Sequence, residues 1–247
     1  MSGKAALVVP AIKRHTATVI VAHGLGDSGV GWLWLAENWR KRNKFEEVKF
    51  VFPNAPNILI TVNGGMRMPG WYDIVGQRDY SDTSLSALSQ AEDAPGITRS
   101  QTYFHGLINE EIAAGIPSNR IVLGGFSQGG AMSLFAGLTC SEKLAGIFGL
   151  SSYMLLQGVF KEKIAAAGGA NNSTKVFMGH GDADQVVRYE WGKLTAEKLK
   201  EWGHDVEFKT YPGLPHSADP EEIDDLEAYL RTVIPPVDEK ESGQASK

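Results

Sequence analysis

Short apolar runs alternate along the chain with longer stretches in which apolar residues recur every three or four positions. The runs are rich in β-branched residues, and continuous ones such as VIVA and IVLGG are typical of strands covered on both faces of a parallel sheet. The predicted strands are 17–22, 48–52, 120–124, 145–150, 174–178 and 206–211. The predicted helices are 31–42, 97–114, 129–138, 190–202 and 220–233. This alternation predicts an α/β fold with a mostly parallel central sheet and helices on both of its faces.

Two segments depart from the alternation. Residues 54–94 form a long connection rich in Gly, Pro, Ser and Asp, with an aromatic pair at Trp71 and Tyr72. A connection of that length in a compact domain is usually functional. The segment 235–247 is polar and begins with two prolines, so we expect it to be a disordered tail. With no internal repeat and no linker between two cores, the sequence predicts one domain over 1–234, followed by that tail.

Composition narrows the classes of function. The chain has 247 residues, with 24 Lys and Arg against 29 Asp and Glu, a formal net charge of −5 that argues against a nucleic-acid partner. The one cysteine, Cys140, excludes a disulfide scaffold and a structural zinc site built on several thiolates. The sequence shows no signal-peptide pattern, no apolar run of the roughly 18–20 residues that span a bilayer, and no lipidation motif. We therefore expect a cytoplasmic protein.

The sequence GFSQG at 125–129 contains the candidate nucleophile, Ser127. It follows an apolar strand and precedes a helix, which is the setting of the nucleophile elbow in α/β-hydrolases. Glycines two positions before and after the serine permit a tight turn that lifts the hydroxyl clear of the sheet. The alternative is a chance Gly-Ser turn, which the flanking strand and helix disfavour.

A serine nucleophile needs a base that accepts its proton, and in this fold the base is a histidine that comes after the serine and an acid. Three histidines follow Ser127: His180, His204 and His216. His204 precedes the last predicted strand and so belongs to the wrong end of the sheet, and His180 comes before the candidate acids. His216 directly follows the last strand, at the end where active-site loops gather, and is therefore the predicted base.

The acid that orients the histidine is expected in the loop after the penultimate strand. Asp182 and Asp184 both lie there, in the sequence HGDAD. Position alone does not separate them, since either could supply a buried carboxylate. The one that is not used would cap a turn, which is the ordinary role of a loop aspartate.

The oxyanion of a tetrahedral intermediate is usually bound by backbone N–H groups. In α/β-hydrolases one donor follows the nucleophile and another comes from the first strand–helix loop, which here are the amides of Gln128 and Leu25. His23 precedes Ser127 in the chain, so we expect it to position this loop rather than to act as the base. The glycines beside Leu25 match neither G-x-G-x-x-G nor a phosphate-binding P-loop.

Seven motifs together resemble one family. In chain order they are HGLGDSG, FPNAP, MPGWYDI, GIPSNRIVLGGFSQGGAMSL, KLAGIFGLS, HGDAD and YPGLPHS. This set is similar to the acyl-protein thioesterase and lysophospholipase group of small serine carboxylesterases, and the likeness runs from about residue 15 to 236. The resemblance implies the α/β-hydrolase fold and a catalytic triad of Ser127, Asp184 and His216, so it selects Asp184 over Asp182. It also implies oxyanion amides at Leu25 and Gln128.

The resemblance further implies hydrolysis of a thioester or ester through an acyl-enzyme, with no metal and no cofactor. The implied substrates are S-palmitoylated proteins, with lysophospholipids second. Met66, Met68, Trp71 and Tyr153 are the predicted acyl-binding residues, although plain core packing is the alternative for the methionines and the tryptophan. Tyr153 lies where relatives commonly carry tryptophan and proline, so it bears on chain-length preference. Brief contact with a membrane surface, a weak homodimer and an additional nuclear location are also expected.

Two other functions compete with this interpretation. A general carboxylesterase would use the same three residues with a shallow pocket and small esters. A non-catalytic acyl-binding protein would keep the fold without the chemistry. The intact order of serine, aspartate and histidine, with both oxyanion loops present, argues against a binding protein, because such a protein has no need of a strained elbow.

Overall fold

The apolar runs form the strands of a central sheet. The computed structural model describes residues 5–76, 84–85 and 92–237. In chain order its strands are β1 (Leu7–Val9), β2 (Ala17–Ala22), β3 (Val48–Phe52), β4 (Asn57–Ile60), β5 (Met66–Pro69), β6 (Ile121–Phe126), β7 (Gly146–Leu150), β8 (Lys175–Gly181) and β9 (Val206–Tyr211). The central sheet has seven strands in the order β1-β3-β2-β6-β7-β8-β9, and β4 and β5 form a separate hairpin.

The register of the sheet brings several strand ends to one edge. All neighbouring strands in it are parallel except β1 and β3. Near the carboxyl ends, Ala22 of β2 pairs with Gly125 of β6, and Phe126 of β6 pairs with Leu150 of β7. The loops that leave β2, β6, β7, β8 and β9 therefore meet at this edge, where ligands bind in open α/β sheets.

Helices cover both faces of the sheet. They are α1 (Leu33–Lys41), α2 (Ala94–Ala113), α3 (Gln128–Leu138), α4 (Gln157–Ala166), α5 (Tyr189–Glu201) and α6 (Pro220–Val233), with short 3-10 turns at Gly29–Trp32, Thr61–Asn63 and Ser118–Arg120. Helices α1 and α6 pack against one face of the sheet, and the other four contribute to the apolar cluster on the opposite face. Every residue of α3 is buried, so the helix that follows Ser127 is central to the core.

The sequence pattern does not predict β1, the β4–β5 hairpin or α4, and it ends β8 too early. Strand β1 is a three-residue apolar stretch that Pro10 ends, too short to stand out as a strand, and its Val8 is half exposed. Strand β4 is likewise mostly accessible. Helix α4 has ten residues and buries only Phe160 and Ile164, so its apolar stripe is too weak to mark a helix. Strand β8 continues beyond the predicted range of 174–178 to Gly181.

The two segments that depart from the alternation are described only in part. The connection 54–94 contains the β4–β5 hairpin, and its residues 77–83 and 86–91 lie outside the described residues. The tail 235–247 is described as far as residue 237, so its predicted disorder stays a prediction. Within the part of the chain that the structure describes, no helix is both long and apolar enough to span a bilayer.

Candidate active site

Ser127 occupies a sharp turn between β6 and α3. Its backbone angles are φ 54° and ψ −122°, a region that residues other than glycine enter only at a cost in free energy. The backbone N–H of Ser127 donates to the carbonyl oxygen of Leu150 at 2.8 Å, and the N–H of Ala131 donates to the carbonyl oxygen of Ser127 at 2.9 Å. Surrounding hydrogen bonds therefore hold the strained residue at the carboxyl end of the sheet.

The glycines on either side of Ser127 allow two backbones to touch. A Cβ atom on Gly125 would overlap the carbonyl oxygen of Ala22 and the backbone of Gly129. A Cβ atom on Gly129 would overlap the carbonyls of Ala22 and His23. The turn thus packs directly against the end of β2, and this close approach brings the first loop beside the serine.

His216 joins the serine to an acid through two hydrogen bonds. Its Nε2 lies 3.0 Å from Oγ of Ser127, and its Nδ1 lies 2.7 Å from Oδ2 of Asp184. An ionised carboxylate only accepts, so Nδ1 carries the proton and Nε2 is left to accept the proton of the serine hydroxyl. The ring packs on Phe126 with centroids 4.7 Å apart. The arrangement is that of a nucleophile, a base and an orienting acid.

Asp184 is held as an anion although it is buried. Its Oδ1 accepts the backbone N–H groups of Val186 and Val187, each at 2.9 Å. Burial by itself would raise the pKa of Asp184, but hydrogen bonds from His180 and His216, with attraction to His216, hold this pKa well below its ordinary value. The carboxylate therefore stays charged where it can stabilise an imidazolium.

The structure separates the two candidate acids. Asp184 contacts His216, whereas Oδ1 of Asp182 accepts the backbone N–H of Gly213 at 2.6 Å. Gly213 belongs to the loop after β9 that carries His216, so Asp182 attaches this loop to the loop after β8. Asp184 is thus the carboxylate in position to orient His216, and Asp182 holds a turn.

The remaining histidines after Ser127 do not contact it. His180 is fully buried in β8, with Nε2 2.9 Å from the carbonyl oxygen of Val187 and 3.5 Å from Oδ2 of Asp184. His180 therefore packs beside Asp184 and helps to hold its carboxylate in place. His204 precedes β9, at the opposite end of the sheet from the serine.

The loop after β2 is held in place by His23. Its Nε2 accepts the backbone N–H of Ala55 at 3.1 Å, which leaves Nδ1 to donate to the carbonyl oxygen of Gly24 at 2.7 Å. Burial lowers the pKa of His23, so the ring is neutral and this pattern persists at neutral pH. Leu25 follows in the same loop, and it lines one cavity together with Ser127.

The side chain of Gln128 joins α3 to the long connection. Its Oε1 accepts the backbone N–H of Trp71, and its Nε2 donates to the carbonyl oxygen of Tyr72, each at 2.8 Å. The indole N–H of Trp71 donates in turn to the carbonyl oxygen of His23 at 2.8 Å. Sequence reasoning predicts a role for the amide of Gln128 but not for its side chain, because its partners lie more than 50 positions away.

The cavity beside Ser127 has a volume of about 260 Å³. Its lining residues are Gly24, Leu25, Asp27, Ile74, Phe126, Ser127, Gln128, Tyr153, Val186, Val187 and His216. Most of these side chains are apolar, which suits an acyl chain better than a polar group. The hydroxyl groups of Tyr153 and Tyr72 lie 2.6 Å apart and form a buried pair at this cavity.

Of the four predicted acyl-binding residues, Tyr153 lines this cavity and the other three lie outside it. Trp71 is buried against Phe104, with ring centroids 4.9 Å apart, so it supports the first loop instead. Met66 is 63% exposed, and Met68 lies on the same hairpin with its sulfur 3.5 Å from the side-chain nitrogen of Asn63. Periodicity and composition do not distinguish a residue in the cavity wall from one packed behind it.

Comparisons with known proteins agree with this geometry. The model of the Phospholipase/Carboxylesterase family matches residues 4–234. The chain is 56% identical over 236 residues to acyl-protein thioesterase 1 of Gibberella zeae, covering 95% of this chain and 98% of that protein. It is 55% identical over 233 residues to acyl-protein thioesterase 1 of Emericella nidulans, covering 94% and 96%.

Solved structures show the same fold. Acyl-protein thioesterase 2 of Zea mays superposes with a TM-score of 0.81 at 27% identity, over 94% of this chain and all of that one. Esterase PE8 superposes with a TM-score of 0.76 at 25% identity, over 93% and 98%. The predicted α/β-hydrolase fold is therefore confirmed.

Proposed function

The chain belongs to the phospholipase/carboxylesterase family, and from this premise we propose that it hydrolyses the thioester between a long-chain acyl group and a protein cysteine. The hydrogen-bonded chain from Ser127 through His216 to Asp184, open to an apolar cavity, is the observation that carries the proposal. Relatives that match nearly the whole chain are named acyl-protein thioesterases, which supports the choice of a thioester.

In the first half of the reaction the serine is acylated. His216 accepts the hydroxyl proton as Oγ of Ser127 attacks the thioester carbonyl, and Asp184 stabilises the imidazolium that forms. The negative charge that develops on the carbonyl oxygen is met by the backbone N–H groups of Leu25 and Gln128, and each such donor contributes about 10²–10³ in rate. Collapse of the intermediate breaks the carbon–sulfur bond, and Nε2 of His216 returns its proton to the departing cysteine sulfur.

In the second half, water replaces the thiol. His216 takes a proton from water as the water oxygen attacks the acyl-enzyme, and the same amides bind the second oxyanion. The bond between the acyl carbon and Oγ then breaks, and the proton returns to Ser127. The products are a fatty acid and a free cysteine, and the enzyme is regenerated.

Lysophospholipids are the second proposed substrates, because the same steps cleave an ester when an alcohol leaves instead of a thiol. A general carboxylesterase is the competing function, and the similarity to esterase PE8 is the observation that favours it. A long-chain thioesterase and a general carboxylesterase differ in the acyl group that fills the apolar part of the cavity. A long chain gains free energy from burial there, whereas an acetyl group does not.

Turnover of one cysteine peptide carrying S-palmitoyl, S-octanoyl or S-acetyl tests the proposal, with lysophosphatidylcholine as a fourth substrate. We expect kcat/KM to be more than about tenfold higher for the long chains than for acetyl, since each buried methylene adds to binding. Higher turnover of the acetyl peptide would favour the general carboxylesterase. Turnover of the lipid alone would remove the protein substrate from the proposal.

A further inference from the structure

Asp27 is a carboxylate in the active-site cavity that the reaction described above does not use. It comes two residues after Leu25, lines the same cavity as Ser127 and His216, and is exposed to solvent. Among the residues that the structure describes, none donates a hydrogen bond to its carboxylate or forms an ion pair with it. Of the described residues that line the cavity, Asp27 is the only acid, and none is Lys or Arg.

Ring contacts link the segment that follows Asp27 to His216. The carboxylate of Asp27 lies against Gly31, where a Cβ atom would overlap it. The next residue, Trp32, packs on Phe126 with centroids 5.4 Å apart, and Phe126 packs on His216 at 4.7 Å. His216 delivers a proton to the departing sulfur, and Asp27 lines the same cavity as His216.

An unpaired negative charge here has a consequence for catalysis. The transition state places a second negative charge on the carbonyl oxygen, close to the loop that carries Asp27, and two like charges at such a distance repel each other. A cation on the substrate, next to the departing sulfur, offsets this repulsion. The uncharged side chains of Ile74, Tyr153 and Val186, which line the same cavity, offer no such selection for charge.

A purely structural role would also use this position, because Asp27 precedes the 3-10 turn Gly29–Trp32 that leads into α1. An anion near a helix N-terminus is favourable. That structural role requires no particular charge on the substrate. The dependence of turnover on substrate charge therefore distinguishes a structural role of Asp27 from a role in substrate selection.

We propose that Asp27 is a specificity-determining residue that favours S-acylated cysteines flanked by a basic side chain. The inference rests on the proposed thioesterase function. The recognised chemistry is the ammonium or guanidinium group of a residue beside the acylated cysteine, within reach of the Asp27 carboxylate. A neutral neighbour leaves Asp27 unpaired in the transition state.

The test compares two S-octanoyl-cysteine peptides that differ only in the next residue, lysine or the uncharged norleucine. For the wild-type protein we expect kcat/KM to be about two to five times higher for the lysine peptide, the factor expected of one solvent-exposed ion pair. This ratio should approach one in about 1 M salt, where charges a few ångströms apart are screened.

Asp27→Asn should change the two substrates in opposite directions. We expect turnover of the lysine peptide to fall and turnover of the norleucine peptide to rise, because the variant removes the attraction and the repulsion together. Asp27→Glu should restore a ratio above one. Glu162→Gln, which removes one negative charge from an exposed site on α4, is the matched control and should keep the wild-type ratio.

Equal turnover of the two peptides by the wild-type protein, with no effect of salt, would overturn the role of Asp27 and leave the thioesterase proposal intact. A ratio that Asp27→Asn does not alter would overturn it as well. A preference for octanoylthiocholine over its uncharged carbon analogue, without any preference between the peptides, would contradict a peptide as the source of the cation. Failure of the wild-type protein to hydrolyse either peptide would overturn the proposed function and this inference together.

Discussion

Among single residues, the two aspartates after β8 have different partners, so we expect their substitution to lower kcat by different amounts. We expect Asp184→Asn to lower kcat by about four orders of magnitude, because the amide no longer stabilises the imidazolium and favours the wrong tautomer of His216. We expect Asp182→Asn to lower kcat by less than about tenfold, because the amide oxygen can still accept the N–H of Gly213. Steady-state rates of the two variants, with circular dichroism to confirm folding, decide between the aspartates. Equal losses would contradict the assignment of Asp184.

The sequence predicts those site residues that are marked by a short motif or by their order along the chain. Ser127 is marked by its own motif, and chain order leads to His216. The choice between Asp182 and Asp184 requires either the family resemblance or the observed hydrogen bonds, because both residues lie in the same loop, two positions apart. The packing of Trp71 against the loop after β2 depends on contacts with residues far away in the sequence, such as its hydrogen bond to His23. A local sequence pattern does not predict such contacts.

At the scale of elements, the close packing of the elbow on β2 predicts a cost for any side chain at Gly129. We expect Gly129→Ala to lower the free energy of unfolding by about 1–3 kcal/mol, because its methyl group would overlap two backbone carbonyls that cannot move aside easily. Gly158→Ala on α4 is the control, since a Cβ atom there meets nothing within 4 Å. That variant should be neutral or stabilising by up to about 1 kcal/mol. Urea denaturation of both variants measures the difference, and equal effects would contradict the packing argument.

The strands of the central sheet follow most clearly from the sequence where they are buried throughout, as in β2 and β7. All six predicted strands occur in the central sheet, some with shifted ends. Strand β1 and the β4–β5 hairpin were missed because edge and surface strands expose one side and are short. Helix α4 is not predicted because it buries only Phe160 and Ile164 among its ten residues, which leaves a weak apolar stripe.

At the scale of the whole molecule, Glu222 makes stability depend on pH. It is fully buried in α6, and within the described residues neither oxygen of its carboxyl group has a hydrogen-bond partner. Burial, together with the charges of Asp219, Asp184 and Asp225, raises the pKa of Glu222 to about 8. The same group in the unfolded chain loses its proton near pH 4.5.

Between these two values the folded protein binds one more proton at Glu222 than the unfolded chain. The contribution of Glu222 to the free energy of unfolding therefore falls as pH rises from about 4.5 to about 8. We expect Glu222→Gln to remove this fall, so that the variant gains about 1–3 kcal/mol over the wild-type protein between pH 5 and pH 8.5. Urea midpoints across this range measure the difference. A gap between the two proteins that does not change with pH would contradict a raised pKa at Glu222.

The fold as a whole presents one serine, Ser127, to a long-chain thioester. The most direct measurement is kcat/KM for an S-palmitoyl-cysteine peptide with the wild-type protein, Ser127→Ala and Ser133→Ala. Ser133 lies on α3 with its hydroxyl bonded to the carbonyl oxygen of Gly129, so it controls for the same substitution away from the reacting atoms. We predict that Ser127→Ala loses at least about a thousandfold in kcat/KM while Ser133→Ala stays within about tenfold of wild type. Activity of Ser127→Ala within tenfold of wild type would show that Ser127 is not the nucleophile.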